Sequence, residues 1–379
     1  HWLVRDDRVW GSETDDYEGF QIGADSAEAL ARRLGTGDVN AARWVESAAE
    51  GLLIGTSGGE IRISSNAFEE PITPLNVKAR SFGDEGSANA QAIRAGGRVV
   101  FIDRTRTRLM QCYYDEDGGR IDTDDLTRLH ERIAGEVEQE SGDGFVEIAY
   151  QKRPSPRIWA VRSDGQLAVL LYGPKEGVYA WARVTGANDG LFKSVCVIPG
   201  APEDRVHVLV EREIDGATVT YHERFALQRF EVNTDSDGRK SAPKAWRLQC
   251  ALASDGAATD SFSGLDHLEG ETVRVWGDGR DAGEYVVTSG AITTDRDIEY
   301  AIIGLEYQGK WRSSKLAYGA QMGTAMTMRK EVGWLGVVTF ETPVGAVSYG
   351  RTFEDATDPL EAPATGLVYR LSPEGEIRR

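Results

Sequence analysis

Short apolar runs alternate along this chain with polar turns, and each run is answered by a second one. The clearest unit is Ile158-Trp159-Ala160-Val161, then Arg162-Ser163-Asp164-Gly165, then Gln166-Leu167-Ala168-Val169-Leu170-Leu171-Tyr172. Runs of this length, rich in β-branched and aromatic residues and bounded by Asp and Gly, predict strands. Asp-Gly supplies the positive φ that a tight hairpin needs. A third strand is predicted at Val178-Tyr179-Ala180-Trp181-Ala182-Arg183-Val184.

The unit recurs. Leu52-Leu53-Ile54-Gly55 turns through Thr56-Ser57-Gly58-Gly59 into Glu60-Ile61-Arg62-Ile63-Ser64. Val99-Val100-Phe101-Ile102 turns into Arg108-Leu109-Met110-Gln111-Cys112-Tyr113-Tyr114, and Val206-His207-Val208-Leu209-Val210 passes Ile214-Asp215-Gly216 and returns as Ala217-Thr218-Val219-Thr220-Tyr221. A fainter hairpin opens the chain, from Val9-Trp10 through Gly11 to Asp16 into Tyr17-Glu18-Gly19-Phe20. Hairpins starting near 9, 52, 99, 158 and 206 give steps of 43, 47, 59 and 48 residues. A period of about 40 to 50 residues marks propeller blades, small sheets that bury their faces only by stacking on neighbours. The long step predicts a helical insert over 124–134, with Thr123 or Asp124 as its cap. Residues 1–228 are thus expected to form a propeller-like domain.

Beyond residue 228 the pattern changes. Asn233 to Lys244 is polar and turn-rich. Strands are predicted at Thr272-Val273-Arg274-Val275-Trp276, at Glu284-Tyr285-Val286-Val287-Thr288 after Gly277-Asp278-Gly279, at Ile302-Ile303-Gly304-Leu305, at Val337-Val338-Thr339-Phe340 and at Leu367-Val368-Tyr369-Arg370-Leu371. Residues 229–379 read as a second β-rich domain, a sandwich or barrel. The expected fold class is all-β.

Composition adds limits. Asp and Glu outnumber Lys and Arg by 61 to 43, a formal net charge of −18, which disfavours nucleic-acid or anionic-membrane binding by an ordinary outer face. No run approaches the 18 to 20 or so apolar residues of a membrane helix, so no membrane-spanning segment is expected. Cys112, Cys196 and Cys250 are odd in number and far apart, which points to reduced, buried thiols rather than a disulfide framework. The chain opens on His1-Trp2-Leu3-Val4 with no charged segment before an apolar one. That is no signal peptide, and it reads as the middle of a longer protein.

Candidate chemistry is sparse. Gly55-Thr56-Ser57-Gly58-Gly59 imitates a nucleophile elbow, but that motif needs a strand-to-helix turn and a strand pattern comes next here. Asn233-Thr234-Asp235-Ser236-Asp237-Gly238 imitates half a calcium loop, yet Lys244 stands where a bidentate Glu belongs. Asp115-Glu116-Asp117-Gly118-Gly119 lacks its third ligand. In an extended segment Arg104, Arg106 and Arg108 would share one face, fit for phosphates or for a protected sheet edge. His130-Glu131 and His267-Leu268-Glu269-Gly270-Glu271 lack the paired-His spacing of a zinc site. No catalytic, cofactor-binding or metal-binding residue is assigned, no cofactor is expected, and the chain is not read as an enzyme.

Several segments resemble the tail nozzle, or tail tubular protein B-like, proteins of short-tailed bacteriophages. The resemblance runs through Leu52 to Glu60, Pro71-Ile72-Thr73-Pro74-Leu75-Asn76-Val77-Lys78, Ile158 to Gly165 and Val195-Cys196-Val197-Ile198-Pro199-Gly200. It is sharpest at Ser263-Gly264-Leu265-Asp266-His267-Leu268-Glu269-Gly270-Glu271-Thr272-Val273. It implies a structural virion protein in the phage tail, assembled in the host bacterial cytoplasm. The expected assembly is a homo-oligomeric ring, a hexamer by analogy, around a DNA channel for genome retention and ejection. Its expected neighbours are tail adaptor and tail fibre proteins, with genomic DNA passing through without sequence-specific binding. The resemblance also implies that the family's N-terminal region is missing from this chain. The alternative reading is a propeller-type glycan-binding module, or a cell-wall or capsule glycosidase of a phage tail.

Overall fold

A computed structural model describes residues 1–34, 41–48, 51–65, 70–135, 144–228, 233–234, 240–313, 347–350, 356 and 358–359. The chain divides into two compact units, His1–Glu306 and Tyr307–Arg379. The predicted strands at Val337–Phe340 and Leu367–Leu371 lie outside the described residues.

The first unit is a succession of antiparallel sheets built in chain order. The first holds β1 (Trp2–Arg5), β2 (Arg8–Gly11) and β3 (Leu30–Arg33); the second holds β4 (Ala42–Ala48), β5 (Gly51–Thr56), β6 (Glu60–Ser64) and β7 (Lys78–Gly83). The third holds β8 (Ile93–Ala95), β9 (Arg98–Ile102), β10 (Leu109–Asp115) and β11 (Arg120–Asp125). The fourth holds β12 (Phe145–Gln151), β13 (Arg157–Arg162), β14 (Leu167–Gly173) and β15 (Val178–Val184), and the fifth β16 (Leu191–Ile198), β17 (Arg205–Ile214) and β18 (Ala217–Arg224). Within each of these five, every strand pairs with its neighbour in sequence.

The sheets stack face to face, which makes the fold all-β and propeller-like. Leu52 and Ile54 join Val9 and Leu34 in one cluster, while Leu53 joins Trp44, Val99 and Phe101 in the next. Val100 and Ile102 meet Ile158 and Ala160, and Trp159 and Val161 meet Phe192, Val195, Val206 and Val208. Successive side chains point to opposite faces of a strand, so a strand buried on both faces must be apolar at every position. That is why the second strand of each middle sheet reads as an unbroken apolar run.

One backbone hydrogen bond repeats at four junctions. The Ala42 N–H donates to Asp6 O at 2.7 Å, and Ser87 to Thr56, Phe145 to Arg106 and Phe192 to Gly165 each at 2.8 Å. At three of these junctions the donor lies at or ahead of the first strand of one sheet, and the acceptor at the end of the second strand of the sheet before or in the turn after it; at the fourth the acceptor, Asp6, follows β1. By this equivalence β1 and β2 occupy the second and third strand positions. The opening hairpin is therefore β1–β2, with Asp6 at φ 52° in its turn, and not Val9-Trp10 with Tyr17–Phe20, which form no strand pair. Moving the start from Val9 to Trp2 brings the first step of the repeat closer to the second.

The predicted helix over 124–134 is not formed. Strand β11 runs through Asp125, and the Asp125 Oδ1 accepts from the Thr127 backbone N–H at 2.7 Å, closing a turn. Only a 3-10 turn at Glu131–Ala134 comes after it. Pairing of Ile121 to Asp125 with Tyr114 to Met110 outweighs the weak helical pattern there, as tertiary context often does.

The two-residue strands β19 (Asn233–Thr234) and β20 (Lys240–Ser241) pair, then a four-stranded sheet forms in the order β21–β24–β22–β23. Its members are β21 (Gln249–Ser263), β22 (Thr272–Gly277), β23 (Arg280–Val286) and β24 (Ala291–Leu305). Its Phe262, Leu268, Val273 and Val275 share a cluster with Ala187 and Ile214. The boundary expected at residue 228 thus falls inside the first unit. In the second unit β25 (Ser348–Tyr349) pairs with β26 (Asp358–Pro359).

Candidate functional site

The Gly55–Gly59 motif is the one candidate that sits at a polar, buried junction. Strand β5 leads into it and strand β6 leaves it, so no helix lifts a hydroxyl above the sheet. Thr56 is fully buried; its Oγ1 donates to Gly59 O at 2.6 Å and accepts from the Gly59 N–H at 3.2 Å. The Ser57 backbone N–H donates to Ala41 O at 3.0 Å. Gly55 has a spatial reason: a Cβ there would lie 2.1 Å from the Trp44 indole and 2.4 Å from Ser87 Oγ.

Beside this turn lies Glu60, a residue that sequence reading passes over because Glu usually marks a solvated position. Glu60 is fully buried, and its Oε1 accepts from Ser87 Oγ at 3.2 Å across the junction between the second and third sheets. Burial pushes its carboxyl up to about 7, helped by the nearby Glu85 and Asp84 charges and opposed by hydrogen bonds from Ser87 and the Glu85 backbone. A carboxylic acid titrating near neutrality can serve as a general acid or base. This one is sealed from solvent, so it acts on the fold and reaches no substrate. A Glu directly after a Gly-Gly turn was the available signal.

The other candidates are absorbed by turns. Asp103 is buried, and its carboxylate accepts from the backbone N–H groups of Thr105 at 3.2 Å and Arg108 at 2.9 Å. Residues 103–107 therefore form a loop with Arg106 at φ 62°, not an extended run, and the shared face expected for Arg104, Arg106 and Arg108 is not made. Arg108 instead pairs with Glu85 at 3.3 Å. Asp115 Oδ2 accepts from the Gly118 N–H at 3.0 Å in the hairpin turn between β10 and β11. Of the calcium-like stretch, Asn233 and Thr234 form β19, while 235–239 lie outside the described residues. His130 precedes the 3-10 turn at 131–134, and the ring Nε2 of His267 lies 3.3 Å from Cys250 O. Among the described residues no group of three or more His, Cys, Asp or Glu is arranged to hold a metal ion.

The thiols divide. Cys112 is buried and Cys250 partly so, and burial pushes both up to about 12, which leaves them protonated and inert at neutral pH. Cys196 is exposed, against the expectation of burial. Its neighbours Val195 and Val197 face the fourth sheet, so the strand alternation turns Cys196 outward.

No helix among the described residues is long and apolar enough to cross a membrane. No protein-family model and no curated protein matches the chain. Among solved structures, the chain is similar to an auxiliary nutrient binding protein from Bacteroides thetaiotaomicron VPI-5482, at 12% identity and a TM-score of 0.30, over 81% of this chain and 66% of that one. A likeness of that degree carries no argument about function.

Proposed function

We propose that this chain is a structural protein of a short phage tail, assembling with copies of itself into a ring around a channel that retains and then conducts genomic DNA. The observation that carries this reading is where the family-like segments fall. Leu52 to Glu60 and Ile158 to Gly165 each build a second strand and the turn that the next sheet latches onto. Val195 to Gly200 covers the end of β16 and the two residues after it, and Ser263 to Val273 carries the chain from β21 to β22. The segments that resemble that family are thus elements of scaffold, and in the Gly55–Gly59 turn the Thr56 hydroxyl is engaged by Gly59.

The acidic excess of the chain supports the same reading, because a channel wall must not hold DNA tightly. Sheet faces and edges supply the contact surface that a ring needs. The test is genetic and physical together. Particles lacking the protein are expected to leak DNA or to fail to attach later tail parts, and the native mass of the purified chain is expected to be a multiple of the monomer. Particles that package, retain and eject normally would sink the proposal. Turnover of peptidoglycan or capsule by the purified chain would favour a glycosidase instead.

A further inference from the structure

The fifth sheet buries one face and leaves the other open. Val206, Val208 and Val210 face the fourth sheet, so Arg205, His207 and Leu209 face away. In the β17–β18 register His207 stands opposite Arg224 and Leu209 opposite His222, which puts all five on one surface. Cys196 stands opposite His207 and Ile198 opposite Arg205 on the other flank. Ile198 and Leu209 are exposed.

Four basic side chains therefore gather on one flat face of a chain whose formal net charge is −18. His207 Nδ1 and His222 Nε2 are 2.9 Å apart, with ring centroids at 5.0 Å and an interplanar angle of 19°. That contact needs one N–H donor and one bare nitrogen, so the pair cannot be doubly protonated and keep it. Arg205 and Arg224 both lie close enough to hold the His207 ring below its ordinary value, after burial and alongside His222. Glu213 is exposed on the same face, toward the other end of β17 from Arg205, and the acids nearer the cluster are turned to other work. Glu223 pairs with Arg212 on the opposite face, Glu211 pairs with Lys193 further along, and Asp204 accepts from the backbone of Lys152 and Arg153. Arg205 and Arg224 thus flank the histidine pair with like charge, and a bound anion would remove the repulsion that an approaching proton meets there.

We propose that Arg205, His207, His222 and Arg224 form a contact site for the phosphate backbone of DNA. A flat, open face suits a polymer better than a small anion, which is held in concave sites. The exposed Leu209 and Ile198 lie beside the cluster, where sugar carbons would rest. Guanidinium groups pair with phosphate oxygens in forked geometry, and once one of the two rings is protonated both outer histidine nitrogens can donate as well. The contact is light and sequence-independent, as backbone contacts are. This deepens the proposed tail function by naming the face that touches DNA, and it can fail without that function failing.

The test is binding of a fluorescent 20-base-pair duplex to the full chain, at pH 6 and pH 8 and over a range of salt. Binding is expected to be tighter at pH 6, and to weaken as salt rises with a log–log slope of about −2 to −4, near 0.9 for each phosphate neutralised. The double variant Arg205→Gln, Arg224→Gln is expected to bind at least about 10-fold more weakly with a slope lower by about 2. On adding duplex, the nuclear magnetic resonance titration of His207 should move to higher pH. Loss of the native circular dichroism spectrum would disqualify that variant, in which case His222→Gln replaces it. Unchanged binding in a folded variant, or salt-independent binding by the native chain, overturns the proposal. So does binding of inorganic tripolyphosphate without any binding of duplex. Native mass on the same preparation reports the ring separately.

Discussion

Glu60 illustrates how a single side chain can tie stability to pH. Its native carboxyl titrates near 7 against an ordinary value of 4.5, so the folded state keeps a proton that the unfolded chain releases. Stability therefore falls as pH rises between about 4.5 and 7, and above that window the loss is complete. At about 1.4 kcal/mol per pH unit the whole effect is on the order of 3 kcal/mol. Glu60→Gln should flatten the profile and be more stable than the native chain at pH 8, by urea unfolding at pH 5, 7 and 8. Parallel profiles in the two proteins would show that the Glu60 charge is solvated. At Gly55 the constraint is space alone, since its φ is not positive. Gly55→Ala, driving a methyl into Trp44 and Ser87, should cost about 1–3 kcal/mol as overpacking does. A melting temperature equal to the native one would mean that Trp44 yields freely.

Among the elements, the fifth sheet is tied to the turn at its entrance by a buried cation. Arg212 on β17 is buried; its Nε and Nη2 donate to Glu223 on β18 at 2.9 and 3.3 Å, and its Nη1 donates to Ala187 O at 2.7 Å. Removing one partner of a buried pair leaves the other charge without compensation and typically costs about 3–5 kcal/mol. Glu223 keeps some exposure, so the lower end applies. Arg212→Ala should lower the melting temperature strongly, while Arg212→Ala combined with Glu223→Ala should recover part of the loss. Equal damage in the single and double variants would assign the effect to packing of the arginine stem. The hairpin turns have a simpler logic. Asp215-Gly216 and Asp278-Gly279 both carry positive φ at each position, 49° and 71° in the first and 51° and 76° in the second, the combination that a two-residue hairpin twist demands.

Across the whole molecule, burial on both faces sets where the fold is strongest. The third and fourth sheets are covered on both sides, whereas the first leaves Leu3 exposed and the fifth leaves Ile198 and Leu209 exposed. Local opening is easiest where few apolar contacts must be broken. Amide hydrogen exchange is therefore expected to be slowest in β9 and β13 and fastest in β1 to β3. Equal protection in β1 and β9 would mean that the first sheet is covered by a further surface in solution.

The sequence by itself determined the central strands of the repeat and the turns between them, though not edge strands such as β4, β7 and β12. Unbroken apolar runs such as Val99 to Ile102 and Ile158 to Val161 announce strands buried on both faces, and Asp-Gly pairs announce the hairpins, because both signals are local. The period of the repeat likewise announced stacked sheets. The opening hairpin was misplaced because Arg5-Asp6-Asp7-Arg8 carries no glycine, and only the pairing of β2 with β1 and β3 places it. The helix over 124–134 failed for the same reason, its first two residues, Asp124 and Asp125, being claimed by strand partners thirteen and fifteen positions earlier. The buried role of Glu60 and the basic face around His207 were not legible at all. Each is made by residues far apart in sequence, and only the stacking of sheets decides which side of a strand meets solvent.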